Sequence, residues 1–424
     1  MYRVSQLPSG LRVATAEMPH MESVAVGLWI GTGGRYEAKR VSGVSHFIEH
    51  MLFKGTRRRT AKEISQTVEG IGGYLNAFTG EETTCYYARA SHRYLDTLLD
   101  VLADMYLQPR FAVTDIVKER DVIKEELRMY RDHPEHYAQE LLTETLWPDH
   151  PLGRSLTGCP RSLDHIDRAV LLDYKRRKYV AANTVVVVSG HCRHDDIVRR
   201  VQNFLTPLQK RGGERAPQFR PACSNQRTPR LRFYQKSIEQ SHLALAIRGY
   251  SRHDERRYAL KLLSVLLGEN MSSRLFQVIR EQHGLAYSIQ SSTSFFADTG
   301  AFVVSAGLDS KRLPKALRLI LRELKRVAKR APTARELRQA KDYAIGQMRL
   351  SLESTANQMM WLGEHLLAYG FIETPEEVER RVEAVDADAL RQVAADVFRD
   401  NRLNAAVITP SGDEQTLAKC LRFV

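Results

Sequence analysis

Cysteine is scarce in this chain: five thiols, Cys85, Cys159, Cys192, Cys223 and Cys420, lie far apart with no CxxC spacing. That excludes a disulfide framework and a thiolate metal site, and makes a reducing, cytoplasmic setting the default. Long apolar runs are missing too. A helix needs about 18 consecutive apolar residues to cross a bilayer, and nowhere does the sequence supply them, so no membrane span is expected. The opening "MYRVSQLPSGLRVATAEMP" has neither the apolar centre nor the small-residue cleavage site of an export signal. It reads as a strand, a Pro8-Ser9-Gly10 turn and a second strand.

What is plentiful is positive charge, a formal net +13, and its distribution decides what it means. Residues 1–208 hold 28 Lys+Arg against 26 Asp+Glu, whereas residues 209–424 hold the other 35 against 24. The excess sits in stretches such as "LKRVAKRAPTARELRQAK" (324–341), where Leu, Val and Ala recur at helical spacing and no aromatic residue offers a stacking surface. This is a solvated helix face, and nucleic acid is not expected as a partner.

A chain of 424 residues fits two domains of about 200 residues each better than one core. Within "PLQKRGGERAPQFRPACSNQRTPR" (207–230) apolar periodicity gives way to Pro, Gly, Arg and Gln, so residues 209–229 are expected to link a domain of 1–208 to one of 230–424. The flanking halves repeat. "SVAVGLWI" (23–30) has a counterpart in "SHLALAIRG" (241–249), 218 positions on; "LLDYKRRKYVAANTVVVVSG" (171–190) has one in "ALRQVAADVFRDNRLNAAVITPSG" (389–412), offset by about 220. Each half mixes alternating strands with amphipathic helices in uneven runs. The expected fold is α+β: two similar domains related by internal duplication, each a largely antiparallel sheet packed with helices.

The chemistry concentrates in "SGVSHFIEHMLFKGT" (42–56). On a helix, positions i, i+3 and i+4 share a face, so His46, Glu49 and His50 point into one small volume. Two imidazoles there can bind zinc, and a carboxylate between them can take a proton from water acidified by the metal. The bland alternative is a helix end carrying two surface histidines. A hydrolytic site also needs a third protein ligand, which the motif leaves open among the other His, Asp and Glu residues.

The order H-x-x-E-H is the inverted zinc-peptidase signature. With "GTGGRYE" (31–37) and "HFIEHMLFKGT" (46–56), the chain resembles the pitrilysin/insulinase family of zinc metallopeptidases over almost its whole length, in the short, two-domain form of the bacterial processing-type peptidases. The resemblance implies a zinc endopeptidase with one Zn²⁺ per chain, acting on short or unfolded polypeptides in a closed cavity. It implies Glu49 as the catalytic base and, in "ERDVIKEELRMY" (119–130), Glu126 as the third ligand beside His46 and His50, with Glu119 supporting the site. Glu125, the neighbouring acid, points about 100° away on the helix. In "GGYLNAFTGEETTCYYARAS" (72–91), Asn76 and Ala77 match positions that touch substrate on an edge strand. In the second half, Arg280 and Tyr287 match a pair that holds the substrate and its developing oxyanion. The domain 230–424 has no metal motif and is expected to complete the cavity. The family's longer members carry twice this domain count, so a homodimer or a heterodimer with a related subunit is implied. A non-catalytic assembly subunit is the alternative; such relatives lose a metal or base residue, and here all four are present.

Overall fold

The computed structural model describes residues 2–209 and 218–423. The chain forms two compact units: residues up to Arg128 with Arg154–Arg220 and Ser351–Glu373, and Met129–Gly153 with Pro221–Leu350 and Thr374 onward. Of the expected linker 209–229, positions 210–217 lie outside the described residues.

The first unit is built on six strands, β1 (Tyr2–Gln6), β2 (Arg12–Glu17), β3 (Ser23–Ile30), β4 (Tyr74–Thr79), β5 (Thr84–Ser91) and β6 (Thr184–Gly190), in the order β1-β2-β6-β3-β5-β4. Only β2 and β6 run parallel; every other pair is antiparallel. The hairpin read from the first residues is β1 and β2. Four helices follow in sequence: α1 (Val44–Leu52), α2 (Ala61–Glu69), α3 (Leu95–Leu107) and α4 (Val113–Asp132). Strand alternation sends Val24, Val26, Leu28 and Ile30 to one face, where they join Phe47, Ile48 and Met51 of α1 and Leu98 and Leu102 of α3 in the main core.

The second unit repeats this plan with β7 (Arg230–Gln235), β8 (Ser241–Gly249), β9 (Ala286–Phe295), β10 (Gly300–Leu308) and β11 (Leu403–Thr409), ordered β7-β11-β8-β10-β9. Position for position this is the order β2-β6-β3-β5-β4, with the single parallel pair, β7 with β11, in the same place. Helices Arg257–Gly268, Leu313–Lys329 and Ala387–Val397 bury their apolar stripes on one face. The fold is α+β, two mostly antiparallel sheets packed with helices.

The units do not follow the sequence halves at two places. Each sheet is apolar on both faces, and the second face must also be covered. In the first unit Ala25, Trp29, Val185 and Val187 are covered by helix Thr355–Ala368, through Met359, Leu362 and Leu366. In the second, Ala244, Ala246, Ala406 and Ile408 are covered by helix Pro134–Leu146, through Ala138, Leu141 and Leu142. These helices begin 221 positions apart, close to the repeat offset, and each comes from the half of the sequence that does not supply the sheet it covers. Amphipathic spacing announces an apolar stripe but not which sheet it seeks.

Candidate metal centre

Helix α1 buries Phe47, Ile48, Met51 and Leu52 and turns His46, Glu49 and His50 to its other face. Its first turn is anchored twice. Gly43 and Ser45 donate their backbone N–H groups to the two Glu37 carboxylate oxygens at 2.6 and 2.8 Å, satisfying donors that no helix can satisfy internally. Burial pushes the Glu37 carboxyl up to about 7, against the downward pull of the Ser45 and Gly43 donors. The Tyr174 hydroxyl, also buried, lies 2.9 Å from both Thr32 Oγ1 and Ser45 Oγ, the residue beside His46. Replacing Glu37 with Ala strands two buried N–H groups. The expected cost is about 2 to 4 kcal/mol of stability, read from the urea midpoint, with weaker metal retention.

Across from α1, helix α4 supplies the acids. Glu126 Oε2 stands 3.7 Å from His46 Nε2 and 3.6 Å from His50 Nε2, and the two imidazole centroids are 4.4 Å apart. Among the described residues, this trio is the one group of three His, Cys, Asp or Glu whose ligand atoms converge, all within 4.8 Å of one another. Glu119, two turns earlier and 4% exposed, holds His50 Nδ1 at 2.8 Å and Lys54 Nζ at 2.8 Å. Burial alone would raise its carboxyl, but the hydrogen bonds from His50 and Lys54 outweigh burial and hold it below the usual range. An ionised carboxylate only accepts, so His50 donates from Nδ1 and its Nε2 lone pair is free for a metal. Glu125 turns elsewhere, to an exposed ion pair with Arg128.

These residues fit zinc on their own geometry and chemistry. Ligands about 2.0–2.1 Å from a tetrahedral zinc stand roughly 3.3–3.4 Å from each other, close to the 3.7 and 3.6 Å that separate Glu126 from the two imidazoles. Burial, and after it the neighbouring His50, pushes the His46 imidazole down to about 3, so it stays uncharged, as a metal ligand must be. Among the described residues none hydrogen-bonds the buried His46 Nδ1, so no such bond from them fixes this ring from its far side.

Glu49 is held from the sheet. Thr79 Oγ1, at the end of β4, donates to Glu49 Oε2 at 2.5 Å, and burial raises the Glu49 carboxyl against that bond and the pull of His50. Nothing in the sequence singled out Thr79; a threonine in a strand is most often there for packing. Among the described residues, β4 is the terminal strand of its sheet, with no strand paired to one of its edges. Leu75 and Ala77 pack against the α1 side, and Thr79 shares their face. Asn76 lies between them, donating to Tyr74 Oη at 2.6 Å and accepting the Ala77 N–H at 2.8 Å.

Arg280 and Tyr287 belong to the second unit, where they lie close together. Arg280, on a π-helical turn spanning Phe276–Gln282, has its guanidinium 4.8 Å from the Phe276 ring and 5.9 Å from the Tyr287 ring, and Tyr287 is 76% exposed. Among the described residues no helix is long and apolar enough to cross a membrane.

Residues 12–160 match the family model described as insulinase (peptidase family M16), and residues 165–343 match that of the peptidase M16 inactive domain. A Mycobacterium leprae protein named an uncharacterized zinc protease is 37% identical, over 99% of this chain and 94% of its own length. A Bacillus subtilis protein of the same description is 34% identical, over 96% and 97%. Among solved structures, a protease from Helicobacter pylori superposes with a TM-score of 0.91 at 22% identity, over 97% of this chain and 99% of that one. A peptidase M16 inactive domain from Pseudomonas fluorescens gives 0.89 at 19%, over 97% and 98%. These two likenesses show the fold.

Proposed function

Because the chain belongs to the insulinase family of peptidases, family M16, we propose that it is a zinc-dependent endopeptidase that cleaves short or unfolded polypeptides. The observation that carries this reading is the convergence of His46, His50 and Glu126 beside Glu49. The match of residues 165–343 to the inactive-domain model agrees with a division of labour, since helix Arg257–Gly268 offers no His or Glu where α1 carries the motif.

His46, His50 and Glu126 would hold one zinc ion per chain, and Glu119 keeps His50 in the tautomer that leaves Nε2 free. Zinc, when bound, acidifies water and polarises a carbonyl. Glu49 takes the proton from the attacking water and delivers it to the leaving amine. An extended peptide adds to the open edge of β4 at Asn76 and Ala77, where main-chain bonding tolerates many side chains. Arg280 and Tyr287 hold the substrate and the charge that grows on its carbonyl oxygen. A second copy, or a related chain, is the proposed assembly partner.

A quenched, unfolded peptide tests the reading together with metal analysis. The purified chain is expected to carry close to one zinc and to cleave the peptide internally, to lose cleavage on chelation and to regain it with added zinc. Cleavage undiminished after the metal has been stripped would overturn it.

A further inference from the structure

We propose that Thr79 is a positioning residue that fixes the base, Glu49, and does so from the same strand that receives the peptide. This inference rests on the endopeptidase reading. A glutamate side chain turns about three bonds, and a proton acceptor works only when one oxygen is aimed within hydrogen-bond reach of the water. Glu49 Oε2 is pinned at 2.5 Å by Thr79 Oγ1. The pin is stiff: threonine is branched at Cβ, which restricts χ1, and β4 is tied to β5 from Tyr74 to Thr79. Holding Oε2 fixes the plane of the carboxylate, and with it the direction in which Oε1 can accept the proton.

The same strand carries the peptide's docking edge. Ala77 is two residues before Thr79, so the two side chains share a face while the edge of β4 stays open. In the free chain the Ala77 N–H is taken by Asn76 Oδ1, so a peptide carbonyl that pairs with this edge replaces that internal bond. Docking therefore loads the strand whose end holds the base. Thr79 couples how well the edge is filled to how well Glu49 is aimed.

The test compares the parent chain with Thr79→Val, which keeps the shape and removes the hydroxyl, and Thr79→Ser, which keeps the hydroxyl. On the quenched peptide, T79V is expected to lose roughly 10- to 100-fold in kcat with KM within about twofold and zinc content unchanged. T79S is expected to recover kcat to within about fivefold of the parent. Should T79V not fold, Thr79→Ala carries the same expectation. A hydroxyl-free variant that turns over as fast as the parent overturns the proposal. So does a defect confined to KM, or one that serine does not restore. A parent chain with no hydrolysis refutes the endopeptidase reading instead, before any variant is compared.

Discussion

Glu49→Gln is expected to leave the chain folded and loaded with zinc but to cut peptide hydrolysis by about 10²- to 10⁴-fold, the range spanned by losing a positioned proton acceptor. Glutamine has the same length and can still accept the Thr79 hydroxyl through its carbonyl oxygen, so the contact at 2.5 Å can be kept. What it cannot do is take a proton from water. None of His46, His50 or Glu126 is altered, and the Glu119 bond to His50 is untouched. Metal analysis and turnover of the quenched peptide, measured on the same sample, separate the two effects. Retained zinc with lost turnover is the expected result; unchanged turnover would remove Glu49 from the chemistry.

The second large effect is on stability. A Cβ added at Gly363 would sit 2.1 to 2.5 Å from three ring atoms of Trp29, which is fully buried and donates its Nε1–H to Met359 Sδ at 3.2 Å. Opposite, a Cβ on Gly27 would fall 2.4 Å from that same sulfur. Helix Thr355–Ala368 lies this close to β3 only because both positions lack a side chain. Gly363→Val is expected to lower stability by about 3 kcal/mol or more, since neither a rigid indole nor a helix backbone can yield by an ångström without loss of packing. Gly346 is the control. It also lies in a helix, Ala334–Ser351, but an added Cβ there meets nothing within 4 Å, so Gly346→Ala is expected to gain about 0.5 to 1 kcal/mol. Urea midpoints of the two variants should move in opposite directions.

Local pattern carried a reader a long way. The spacing of His46, Glu49 and His50 is a statement about one helix, and a helix repeats so regularly that three residue names fix a shared face. The two-sheet plan was legible for a similar reason: an offset of 218 between β3 and β8 survives in the order of apolar residues even where identities have drifted. Glu126 was different. Its 76-residue separation from His50 has no periodicity behind it, and the residues alone leave a third ligand open among the other His, Asp and Glu residues; Glu126 is proposed for that place on the resemblance alone. Thr79, Glu37 and Tyr174 were illegible, because a side-chain hydrogen bond between a loop, a strand and a helix is decided by tertiary placement. The exchanged helices escaped notice for that reason too. Amphipathic spacing marks the apolar stripe of each helix, and packing decides which sheet it covers.

That exchange bears on how the molecule is made. Synthesis runs from the amino end, yet the outer face of β3 and β6, with Trp29 in it, is covered by a helix that ends at Ala368. The unit holding His46, His50 and Glu126 is therefore finished only when the ribosome has passed Glu373, long after Glu126 itself has emerged. Until then an apolar sheet face stays open to water and to other nascent chains, the exposure that makes late-closing topologies slow and aggregation-prone. His46, His50 and Glu126 are all translated within the first third of the chain, but the unit that surrounds them closes only after most of the chain has been made.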